Sequence, residues 1–131
     1  GQETAMSKFS APVGAIVHAW FPESEAVMTP GPKLRPVLVL SVEDRGNGRR
    51  EALVAYGTSQ HPERVGQGSF TISAAKTKAL KVDTRFDLQR RLWLPLDERY
   101  FDTAHALEMV PLDHMAAFRR EAVNVGLVKT R

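Results

Sequence analysis

The chain has 131 residues, enough for one domain that buries roughly 65–70% of its unfolded surface without a metal or a disulfide. Apolar residues at 43% and charged residues at 25% place it among ordinary globular proteins, and the absence of cysteine excludes a disulfide scaffold, a cysteine zinc site, an iron–sulfur cluster and a thiol nucleophile. Eighteen Lys+Arg against fifteen Asp+Glu leave +3, a mild basic balance that permits a polyanionic partner without demanding one.

Gly1 to Ala5 precede Met6 and read as a cloning remnant, leaving residues 6–131 as one barrel domain. Phe9 to Pro22 is free of charged residues, but His18 interrupts its apolar run. It is too short to span a bilayer and has no charged leader with a cleavage site, so a cytoplasmic protein is expected. Gly14 to Phe21 reads as a first strand. Pro22 to Lys33 is a loop, because its three prolines and Gly31 remove donors and restrict their neighbours. Val37-Leu38-Val39-Leu40 reads as a central strand, largely buried. Glu43 to Arg50, with Gly46-Asn47-Gly48, reads as a charged hairpin turn, and Ala52 to Tyr56 as the next strand.

His61 to Gly68 is a second loop and Phe70-Thr71-Ile72 a short strand. Leu80 to Leu88 and Leu92 to Leu96 are two further strand candidates, with Pro95 marking an edge or an end. Asp113 then caps a helix whose apolar face is Met115, Phe118, Ala122 and Val125, and Gly126 stops it. Five to seven short strands and one C-terminal helix predict a mainly β chain, a small antiparallel barrel or rolled sheet.

Three elements recur together in a known family. Gly14-Ala15-Ile16-Val17 opens a strand, Lys33-Leu34-Arg35-Pro36-Val37-Leu38-Val39-Leu40-Ser41 follows a Gly/Pro loop, and Ala52 to Ser59 follows a charged turn and ends in Thr58-Ser59. This order resembles the PemK/MazF family of type II toxin–antitoxin toxins, over most of the chain from Gly14 to about Leu127. The resemblance implies an SH3-like barrel with a terminal helix, working as a homodimer in the cytoplasm. It implies a growth-inhibiting, metal-independent and sequence-selective endoribonuclease with no cofactor. Its substrate would be single-stranded RNA, often mRNA, and a small antitoxin would neutralise it by laying a tail in the RNA groove.

Cutting RNA without a metal drives the ribose 2′-hydroxyl onto the adjacent phosphorus, so the site must move two protons and stabilise negative charge on the phosphoryl oxygens. A guanidinium suits the last task. Arg35 stands where the loop meets a buried strand, and the resemblance makes it catalytic; its plain alternative is a solvated strand-end charge. Thr58 follows Gly57, and its hydroxyl can donate to a phosphoryl oxygen; the resemblance makes it a catalytic-site residue, and the alternative is a turn hydroxyl satisfying local backbone. Lys33, Ser59 and Gln60 are weaker candidates for RNA contacts. Arg85 and Asp87 share one strand face while Phe86 points into a core. Some members of the family carry such an Arg-x-Asp pair in acid/base and phosphate roles; a surface ion pair is the alternative.

Several members place an acid five residues before the arginine, and here that position is Pro30, with Glu23 and Glu25 further back. The difference leaves open another base, another substrate choice, or no cleavage. The histidines His18, His61, His105 and His114 show no metal-ligand spacing; His61, right after Thr58-Ser59-Gln60, is the one candidate for proton transfer, and a plain loop histidine is the favoured alternative. Arg45, Arg49 and Arg50 in the turn, and Arg90 and Arg91 between strands, either border an RNA groove or are solvated loop charges. Trp20, Trp93, Phe21, Phe70 and Phe86 read as core rather than base-stacking platforms. The alternative function is a non-catalytic barrel of the same fold: a topoisomerase poison like the CcdB toxins, acting near Val128 to Arg131, or a decayed relative that only binds RNA or protein.

Overall fold

The computed structural model describes residues 9–24, 29–64, 66–104 and 107–127. Six strands form one antiparallel sheet: β1 (Ala15–Trp20), β2 (Leu34–Gly46), β3 (Arg49–Thr58), β4 (Ser69–Ile72), β5 (Thr84–Pro95) and β6 (Glu108–Met109). Their order is β4-β5-β3-β2-β1-β6, and the sheet curls into a half-barrel with one C-terminal helix, α1 (Met115–Asn124), packed against one of its faces. The expected mainly β chain with a terminal helix is therefore present. Residues 1–5, read as a remnant, and His105 lie outside the described residues. Among the described residues no helix is long and apolar enough to cross a membrane.

The sheet carries a core on each face. Val17, Val37, Val39, Val54 and Leu94 pack with Phe21, Tyr100 and Phe101 on one side. Ile16, Leu38, Ala55, Phe86 and Leu88 pack with Phe70, Ile72 and Ala122 on the other. Double burial explains the unbroken Val37-Leu38-Val39 run, since every residue of such a strand meets a core.

Several boundaries differ from the expectation. The Glu43–Arg50 segment is mostly strand: β2 runs to Gly46, β3 starts at Arg49, and only Asn47 and Gly48 turn. Both have positive φ, 56° and 74°, as a tight two-residue hairpin demands. The expected strands at 80–88 and 92–96 are one strand, β5, beginning only at Thr84. An irregularity inside it, described below, imitates a loop in the sequence. The short edge strand β6 was not expected, because two residues carry no period to read.

The helix begins later than predicted. Asp113 does not cap it; Leu112–His114 form a preceding 3₁₀ turn and α1 starts at Met115 without a side-chain cap. The Asp113 carboxylate instead meets Lys76 Nζ at 3.1 Å and His114 Nδ1 at 2.8 Å, which hold its pKa below the ordinary value. Met115, Phe118, Ala122 and Val125 face the second core, as their spacing predicts. Gly126, at φ 82°, ends the helix. Its N–H donates to Val123 O and that of Leu127 to Ala122 O, the paired bonds of a Schellman cap.

One buried carboxylate ties helix to sheet. Glu121 is 6% exposed, and its Oε1 accepts from the backbone N–H of Gly68 at 2.7 Å and from Asn124 Nδ2 at 3.1 Å. Arg120 Nε donates to Oε2 at 2.9 Å. Arg120 foremost, then Gly68 and Asn124, lower the Glu121 pKa against the opposing effect of burial. A depressed folded pKa gives stability that is complete above the unfolded value near 4.5 and is lost as pH falls through the lower folded value. Glu121→Ala is expected to cost roughly 1–3 kcal/mol at neutral pH. Urea unfolding from neutral to acid pH should show the gap between wild type and variant closing below that window.

Candidate nucleic-acid interface

The candidate residues gather at one end of the sheet. Directly paired residues of antiparallel strands point to the same face. Val37 pairs with Tyr56, so Arg35, two residues earlier, comes level with Thr58, two residues later. Tyr56 pairs with Asp87 and Thr58 with Arg85. Arg35, Tyr56, Thr58, Arg85 and Asp87 thus share the face of the Val37–Val54 core, just past where its apolar rows end. Gly57 and Phe86 pair with each other and face the opposite core, where Phe86 is fully buried. The expected division of Arg85-Phe86-Asp87 between a polar face and a core is present.

The charges on this face are little neutralised. Among the described residues Arg35 has no ion pair; its guanidinium lies 5.4 Å from the Tyr56 ring centroid. Arg85 and Asp87 do not form the ion pair that was the plain alternative. The Asp87 carboxylate accepts from the Gln89 N–H at 3.0 Å, while Arg85 Nε is buried with no hydrogen-bond partner among the described residues. A buried guanidinium N–H without an acceptor is costly, and an anion or a water on this face would satisfy it. The Thr58 hydroxyl accepts from the Gln60 N–H at 3.1 Å, a local turn contact that leaves its own proton free to donate.

Sequence reasoning missed the centre of the site. Tyr56 is paired with Asp87 while Ala55 is paired with Arg91, so Leu88, Gln89 and Arg90 have no opposite number on β3. This bulge re-aims the chain and lays the Arg90 guanidinium over Tyr56, 3.8 Å from the ring centroid. Arg90 is therefore not a loop charge. Phe21 meets Tyr56 edge-on at 5.3 Å and lines a pocket, so it is more than core. The polar Gln89-Arg90-Arg91 run between Leu88 and Leu92 was the available signal of a bulge.

Arg35 divides two pockets. One, of about 290 Å³, is lined by Phe21, Glu23, Lys33, Arg35, Tyr56 and Arg90 with two prolines. The other, of about 450 Å³, includes His18, Arg35, Gly57, Ser59, Lys78 and Lys81. Lys33 and Ser59 are thus brought to the site from opposite sides. Gln60 is exposed in the turn beyond Thr58. His61 is exposed at φ 52° near Glu63 and lines neither pocket. Arg45 is far away: it pairs with Glu43 and Glu51 and stacks on Trp93, ten steps further along β2 than Arg35, about 33 Å. Phe70 and Phe86 are core, as expected. Glu25 and Val128 to Arg131 lie outside the described residues. Among the described residues no group of three or more His, Asp or Glu is placed to hold a metal ion.

Comparison with protein-family models finds none that matches the chain, and comparison with curated proteins finds no significant match.

The site depends on a close approach at Gly57. A Cβ there would stand 2.6 Å from Pro36 O, 2.8 Å from Phe86 Cε1 and 3.0 Å from Thr84 Cγ2. The backbone oxygen cannot yield cheaply, so Gly57→Ala is expected to destabilise the protein by roughly 1–3 kcal/mol, measured by urea unfolding.

Proposed function

We propose that the protein is an endoribonuclease of the PemK/MazF type, a toxin that cuts single-stranded RNA. The observation that carries this reading is the face shared by Arg35, Thr58, Arg85 and Asp87, with two guanidinium groups lacking a carboxylate partner among the described residues and one buried Nε lacking an acceptor. Lone surface arginines are common; two converging beside a free hydroxyl proton and a carboxylate suit a phosphodiester.

In this reading Arg35 and Arg85 bind the phosphoryl oxygens of the scissile phosphate. The positions of Arg35 and Arg85 are two strand spacings apart, about 10 Å, a span their long side chains close from either side. Thr58 donates its hydroxyl proton to one of those oxygens. Asp87 accepts the proton of the 2′-hydroxyl as that oxygen attacks phosphorus. The P–O5′ bond breaks, the departing 5′-oxygen takes a proton from solvent, and the products are a 2′,3′-cyclic phosphate and a 5′-hydroxyl. Charge gathers on the phosphoryl oxygens during attack, so fixed guanidinium groups stabilise the transition state more than the substrate. Asp87 takes the base role left open by Pro30. The same reading implies a homodimer and an antitoxin whose tail competes with RNA for this face.

Incubation of the protein with a long, weakly structured RNA in EDTA is expected to give discrete fragments ending in cyclic phosphate. Arg35→Ala should lower the rate on the order of 10²–10³-fold and Thr58→Ala about tenfold, with unchanged circular dichroism. Intact RNA with folded wild-type protein across pH and salt would overturn the catalytic reading.

A further inference from the structure

The pocket beside Arg35 holds groups that phosphoryl transfer does not use. The Tyr56 ring forms one wall, with Phe21 meeting it edge-on at an interplanar angle of 65°. The Arg90 guanidinium lies 3.8 Å from the Tyr56 centroid, the height of a stacked pair, so a flat cationic group already occupies the place of a stacked base. The Glu23 side chain is exposed on the rim, and among the described residues its carboxylate has no hydrogen-bond or ion-pair partner, although three cations line the same pocket. At about 290 Å³ the space sits at the small end of ligand sites, suited to one base rather than a whole ligand chain.

We propose that this pocket binds one guanine base of single-stranded RNA, stacked on Tyr56 and read by Glu23, next to the phosphate held by Arg35. The placement of that phosphate rests on the ribonuclease reading. Guanine fits both kinds of group present. Its Watson–Crick edge offers two adjacent N–H donors, from N1 and N2, which match the two oxygens of an acceptor-only carboxylate. Its other edge offers O6 and N7, the preferred acceptors of a guanidinium, so Arg90 has a partner when the base displaces it from the ring. Adenine would turn the N1 lone pair toward Glu23. Uracil flanks its single N–H with two carbonyl oxygens. Cytosine sets the N3 lone pair beside its amino group. Each leaves the carboxylate facing a like-charged acceptor, a mismatch that the stacking surface does not correct.

The test uses fluorescein-labelled pentanucleotide RNAs, fully 2′-O-methylated so that they bind without being cut, differing in the central base alone. Anisotropy with the full chain is expected to show the guanine RNA bound on the order of tenfold tighter than the other three. Glu23→Gln should bring guanine to the level of the others, and Tyr56→Leu should weaken all four, with folding checked by circular dichroism. Equal binding of the four RNAs, no binding of any, or a guanine preference that survives Glu23→Gln overturns the guanine pocket. Unmodified RNA is assayed for cleavage in parallel. A guanine preference that Glu23→Gln removes, without cleavage, supports the pocket and overturns the ribonuclease reading instead.

Discussion

A strand buried on both faces has to hold its register, because a slip of one residue moves every side chain to the opposite side. The β2–β3 ladder is under that constraint. Val37, Leu38 and Val39 are fully buried, as are Ala52, Val54 and Ala55, and they alternate between two separate cores. Where the cores end, the alternation continues into residues that water reaches. Arg35, Tyr56 and Thr58 thus inherit a common face from the packing of their apolar neighbours. The site's precision comes from the core, and its exposure from the ends of the strands.

The second determinant is a break in that regularity. Leu88, Gln89 and Arg90 have no partners on β3, and the Leu88 N–H bonds instead to Gly68 O at 2.7 Å. Gly68 is the residue whose own N–H is held by the buried Glu121 carboxylate. Helix α1, the end of the 61–68 loop and the β5 bulge are therefore joined through one short backbone segment. The bulge puts Arg90 on Tyr56, and so joins an aromatic pocket to the row of polar and charged groups at the end of the sheet. Bulges beside sites serve this purpose generally, turning a side chain that a regular strand would send elsewhere.

The arginines show how context assigns a charge its role. Arg45 is absorbed by Glu43, Glu51 and the Trp93 ring on the outer hairpin. Arg99 is paired with Asp97, whose hydrogen bond and charge raise its pKa. Arg35, Arg85 and Arg90 meet no carboxylate among the described residues, and two of them border aromatic rings. A modest net charge of +3 thus conceals a local excess of cations at one end of the sheet.

Much of this was legible in the chain. The strand-rich pattern, the buried 37–39 run, the tight turn at Asn47-Gly48, the apolar face of the helix and its stop at Gly126 all follow from periods and turn chemistry, which act over a few residues. The common face of Arg85 and Asp87 was legible for the same reason. The length of β5, the 3₁₀ turn ahead of α1, the strand β6 and the meeting of Tyr56 with Arg90 were not. Arg90 reaches Tyr56 because three residues of one strand go unpaired against another 34 positions away in sequence, counted from Tyr56 to Arg90. Asp113 lies inside the 3₁₀ turn rather than at the helix start, and its carboxylate meets Lys76 and His114 instead. Sequence alone determined which residues face in and which face out along the regularly paired stretches. Only the tertiary structure decided which outward residues meet, because register, bulges and ion-pair choice are settled between segments that share no local pattern.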